Sequence, residues 1–165
     1  MAALPVDQHV LETRKSGVTD LLLAVLHHLL AFLLVAVLAA QIAIVRPGLA
    51  SGSLTLLGRL DAAYGGLAVT LIAVGVGRVL FGVKGWEFYV HSPAFWAKMA
   101  AFAIVGFLSI LPTRRIARWL RAAGNADQVV PEAEIRAVRF WFKAEAAVFV
   151  LIPVFAAAMA RGVGY

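Results

Sequence analysis

The chain has 165 residues, 62% of them hydrophobic and 15% charged, with a mean hydropathy of +0.89 and no cysteine. A soluble domain is about 45–50% apolar, so an ordinary water-soluble fold is excluded, as are disulfides, thiolate metal sites and thiol chemistry. The net charge of +6 would suit nucleic acid, but the arginines flank apolar runs long enough to cross a bilayer. Membrane orientation and anionic lipid account for them, and no nucleic-acid partner is expected.

Residues 1–17, MAALPVDQHVLETRKSG, are polar and mixed in charge. Asp7 and Glu12 precede the first apolar run, and no small-residue cleavage site follows a short one, so the segment reads as a surface piece and not a signal peptide. His9 belongs to it and is expected in solvent. The first span is expected over about residues 21–45. Asp20, Ala24, His27, Ala31, Leu34, Leu38 and Gln41 recur at helical spacing and share one face. His28 lies about 100° round the helix, among Leu21, Val25, Phe32 and Val35. Polar groups of a membrane helix turn to the protein interior, so His27 reads as inward and His28 as outward. His27 is then either hydrogen-bonded to a neighbouring helix or a ligand to a bound group.

Residues 46–58, RPGLASGSLTLLG, read as a linker, with the second span at about 60–81. Asp61, Tyr64, Ala68, Leu71, Gly75, Arg78 and Gly82 alternate in steps of three and four, and Ala68 and Gly75 would let another backbone approach. Asp61 at the expected helix start reads as an N-terminal cap. The loop GVKGWEFYVHSPAFW is an interfacial aromatic belt. Within it His91 is expected in solvent, and Ser92 and Pro93 read as the cap and first position of a third helix. Lys98 then falls in the second turn, either snorkelling outward or serving an interior site. The third span is expected over 93–112, ending at Pro112, and TRRIARWLRAAG reads as a helix lying on the membrane surface. A polar turn over 124–135 leads to a fourth span at about 138–160, kinked at Pro153, with Glu145 in its early turns.

The expected fold is all-α: a polar segment, 1–17, then an integral membrane four-helix bundle over 18–165. Arg46, Arg59, Arg114, Arg115, Arg118, Arg121, Arg136, Arg139 and Lys143 gather on one side. That side should face the cytoplasm of a bacterial inner membrane, with both termini periplasmic. At the inner end, Asp61 and Glu145 among Arg46, Arg59 and Lys143 read as an ion-pair cluster. At the outer end, His27, Arg78 and Lys98 share one depth, with His91 above them. Such a set suits haem b: an imidazole, His27, as the metal ligand, and cations for the propionates.

The runs LHHLLAFLL, RLDAAYG, GWEFYVHSPAFWAKM and FKAEAAVFVLIP resemble the bacterial membrane protein family filed as domain of unknown function 2214, over roughly residues 20–162. More distantly, the order of features is similar to HemJ-type protoporphyrinogen oxidases and CopD-like membrane domains. In the HemJ type a Leu-His pair in helix one and a lysine after a tryptophan in helix three are the key residues. Leu26-His27 and Trp96 with Lys98 would match them, and Glu145 has a similar place. The tryptophan-to-lysine spacing differs, and QIAIVRPG stands where that type has a Pro-Arg-Leu-Phe-Val-Tyr-His element. The resemblance implies haem b and oxidoreductase activity. The alternative expectation is a non-enzymatic accessory subunit of a larger membrane complex or a small transport component, and the expected protein partners are a second copy in a homo-oligomer or a larger membrane complex.

Overall fold

The computed structural model describes residues 8–82, 85–123 and 130–161, with side chains from residue 17 onward. The side chain of His9, Lys84 and half of the expected polar turn, residues 124–129, therefore lie outside the described residues. The order is α1 (Gln8–Ile44), α2 (Ser51–Phe81), α3 (Gly85–Val90), α4 (Pro93–Ala122), α5 (Glu132–Phe149) and α6 (Leu151–Ala160), with no strand among the described residues. Among the described residues, four stretches are long and apolar enough to cross a membrane: Gly17–Ile44, Ser51–Phe81, Pro93–Ala122 and Glu132–Ala160. Each measures about 40 Å or more at 1.5 Å per residue, against roughly 30 Å of bilayer hydrocarbon.

Successive spans run antiparallel. Between α1 and α2, the Asp20 carboxylate stands over Gly82, the His27 ring over Gly75, and Gln41 reaches Asp61. Between α2 and α4, Thr113 bonds Asp61 and Leu120 packs on Gly58. The buried positions repeat at helical spacing, as Leu30, Leu34, Leu38 and Gln41 do on α1, with Val45 just past its end. The outward faces carry exposed Phe32, Val69 and Phe107, the surface that meets lipid. Packing is tightest toward the basic end, around Val45, Leu57, Ile116 and Val138, whereas α6 buries no residue. The bundle therefore loosens toward the end that holds His27.

Several boundaries differ from the sequence reading. The expected linker is mostly helix: Pro47 and Gly48, at φ +78°, make the turn, and α2 begins at Ser51. Burial of Leu54 and Leu57 draws that segment into the bundle. Asp61 is consequently about three turns inside α2 and is not a cap. Pro112 does not end its helix. It sits fully buried inside α4, and TRRIARWLRA continues the same helix instead of lying apart on the surface. One lost backbone bond is outweighed by a single buried face through Val105, Pro112, Ile116 and Trp119. In the last span α5 gives way to α6 at Val150, beside Phe149, the residue whose carbonyl the Pro153 ring displaces.

Candidate functional site

The spans position two clusters, one toward each end. The first is a cavity of about 300 Å³ reached by all four spans and by α3. His27 comes from α1, Arg78 from α2 and Lys98 from α4, so three residues singled out in the sequence meet on one space. The rest of its wall is apolar or aromatic, including Leu71, Phe102, Phe149 and Ile152, and no carboxylate lines it. Tyr89 of the short α3 lines it, tilted against Phe95 at a ring separation of 5.8 Å.

Local sequence explains how each cation is aimed. Ser92 accepts a hydrogen bond from the Phe95 amide and Pro93 occupies the first turn, so α4 starts at a defined point and Lys98 falls in its second turn. His27 lies on the inward face of α1, and its Nδ1 is buried without a hydrogen-bond partner. The adjacent His28 is exposed, and its Nδ1–H donates to the Ala24 carbonyl at 2.7 Å. Gly75, read as a place for backbone approach, instead receives the His27 ring. The Arg78 Nε is also buried and unpartnered. His91 does not join this group: it is exposed, donates from Nδ1 to the Glu87 carbonyl at 2.9 Å, and does not line the cavity.

The second cluster is toward the basic end. Gln41 Nε2 donates to Asp61 Oδ1 at 3.4 Å and Thr113 Oγ1 donates to the same oxygen at 3.0 Å. The Tyr64 hydroxyl and the Glu145 carboxyl face one another within the bundle, but neither closes a hydrogen bond. The expected ion-pair cluster is not formed there. Arg46, Arg59 and Lys143 are exposed, where water solvates their charges, and Arg139 donates to the Val45 carbonyl at 3.3 Å. The ion pair among the described residues is the surface Glu132–Arg136 contact. Sequence reasoning missed Thr113, because Pro112 read as a helix end, and it gave Gln41 and Tyr64 no role. The available signal was that Gln41 shares the His27 face and Tyr64 the Asp61–Arg78 face.

The described residues contain no grouping of three or more histidine, cysteine or acidic side chains suited to a metal ion. A haem needs only one or two such ligands, so this does not bear on it. No curated protein and no solved structure matches the chain. Residues 19–164 match the family model described as predicted membrane protein (DUF2214), and the chain belongs to that family.

Proposed function

We propose that the cavity binds an apolar molecule bearing acidic groups, and that this molecule is haem b. The observation that carries the reading is the convergence of His27, Arg78 and Lys98 on an apolar space that no carboxylate lines. Two cations, Arg78 and Lys98, held together beside His27 in low dielectric repel one another unless an anion joins them. An acidic group would relieve that repulsion and give the unpartnered Arg78 Nε an acceptor.

The donor set fits haem. His27 offers an imidazole and Arg78 and Lys98 offer one cation for each propionate. The volume lies at the small end of ligand cavities, but Met99 and Met159 line it, and unbranched methionines yield to a guest more readily than branched side chains. When bound, haem would supply one-electron redox chemistry. The chain's own part is to hold the group by its acids, to exclude water with the Tyr89–Phe95 wall, and to supply the nitrogen of His27. The likeness to HemJ-type oxidases rests on Leu26-His27, on Trp96 with Lys98 and on the place of Glu145. By the excess of arginine at the far end, the cavity end would be periplasmic in a bacterial inner membrane, and the basic end would meet anionic lipid.

An absorption spectrum of detergent-purified protein tests the reading. A Soret band, with α and β bands on reduction, is expected. A protein that stays colourless after haem is supplied during expression and again after purification would overturn it.

A further inference from the structure

The cluster toward the basic end has no part in the haem reading, and each span contributes to it. Gln41 and Glu145 are fully buried, and Tyr64 is only 6% exposed. Both Glu145 oxygens, the Tyr64 hydroxyl and Gln41 Oε1 lack a hydrogen-bond partner. Two of these orphaned groups are not acids, and Gln41 is aimed into the cluster by its own bond to Asp61.

Glu145 is faced from α2 by Tyr64 and Asp61; α1 adds Gln41 and α4 adds Thr113, each through its bond to Asp61. No titratable residue occurs on α6. On α5 itself, Arg139 is engaged by Val45 and Lys143 is exposed. Two carboxyls thus share a desolvated space with no cation beside them, and two bare carboxylates there are not tolerated. The two are held differently. Asp61 Oδ1 receives hydrogen bonds from Gln41 and Thr113, which support a carboxylate, and Asp61 is half-buried beside the exposed Thr113. Glu145 is wholly enclosed and receives no closed bond. A carboxylic acid needs an acceptor for its own O–H, and the Tyr64 oxygen beside Glu145 is an unfilled one.

We infer that Glu145 is the proton-carrying residue of an occluded proton-binding site formed with Tyr64, Gln41 and Asp61. Asp61, nearer the surface beside Thr113, is the group through which the proton exchanges with the basic end. The ligand is a single proton, added to a Glu145 oxygen as an O–H bond. The donor set is all oxygen, which also suits a small hard cation, so the test must separate the two.

The test is infrared spectroscopy of the full chain in lipid at neutral pH, with exchange from H2O to D2O. A protonated-carboxyl C=O band that shifts in D2O is expected in the wild type. It should vanish in Glu145→Gln, persist in Asp61→Asn and move in frequency in Tyr64→Phe, which removes its neighbour. Glu145→Gln should melt where the wild type does, since the amide is neutral and of the same shape. A wild type without the band, or a band that survives Glu145→Gln, would overturn the inference. So would saturable loss of the band with sodium, lithium or calcium ions, which would make the site a cation site. Should Glu145→Gln fail to fold, the wild-type band and its shift in Tyr64→Phe decide the matter. The readout needs no bound haem, so it stands or falls apart from the proposed function.

Discussion

The His27 imidazole rests on Gly75. A Cβ at position 75 would stand 3.3 Å from the ring Cε1 and 3.7 Å from Nδ1, so the missing side chain sets where the ring can sit. Gly75→Ala gains up to about 1 kcal/mol of helix propensity, while the ring must move by a few tenths of an ångström. The expected outcome is a melting temperature equal to or slightly above the wild type, with haem retained less tightly. Gly75→Val adds more bulk and should cost about 1–3 kcal/mol through overpacking. Thermal melts and Soret absorbance per mole of protein, read on both variants, check this.

Two adjacent histidines make an internal control. His27→Ala removes the nitrogen at the cavity and should abolish the Soret band while the bundle stays folded. His28→Ala removes one exposed bond to Ala24 within the same helix, and surface changes of this kind stay within about 0.5 kcal/mol. Equal loss of haem in both variants would contradict the facing of α1.

The facing of these helices was legible in the sequence because a span has one interior side and polar groups seek it. Leu34, Leu38 and Gln41 fall on the expected side of α1, and Tyr64 and Leu71 on that of α2. Helix ends were less legible. Glycine, serine and proline are local signals, and burial of Leu57, Ile116 and Trp119 outweighed them. Asp61 moved from cap to interior for that reason, and with it the ion-pair cluster gave way to an uncompensated carboxyl pair. His91 was placed above the cavity by its position in the outer loop; it is exposed, as expected of a loop histidine, but its ring bonds back to the Glu87 carbonyl and not toward the cavity.

Among the described residues, one side-chain hydrogen bond joins α4 to α5. Trp119, 7% exposed, donates from Nε1 to Glu134 Oε2 at 2.6 Å. Hydrogen bonds to a charged group contribute about 1.5–3 kcal/mol, and this one ties the last turns of α4 to the first turn of α5. Glu134→Ala should destabilise by about 1–3 kcal/mol and leave any haem spectrum unchanged, because the contact lies at the opposite end from the cavity. Trp119→Phe should cost a similar amount, and the double variant less than the sum of the two. Denaturation of the four proteins in mixed micelles measures that coupling. Strict additivity would show that the bond contributes nothing in lipid.

Lys98 separates an interior cation from an interfacial anchor. Its side chain is half-buried and lines the cavity with His27 and Arg78, and no hydrogen bond or ion pair within the described residues engages its ammonium. Lys98→Met keeps length and apolarity while removing charge. For an anchor whose ammonium already reaches water, methionine should leave both spectrum and stability as they were. For a cation that holds a propionate, two effects of opposite sign follow. The protein without haem should melt higher, because Arg78 loses a like-charged neighbour. Haem affinity should fall by about tenfold or more, the size of one charge-assisted hydrogen bond. Lys98→Arg should restore charge but only part of the affinity, since a planar guanidinium fills the space differently. Haem titration and thermal melts on the wild type and both variants measure the two effects. Wild-type affinity in Lys98→Met would remove Lys98 from the site and leave Arg78 alone to meet the acids.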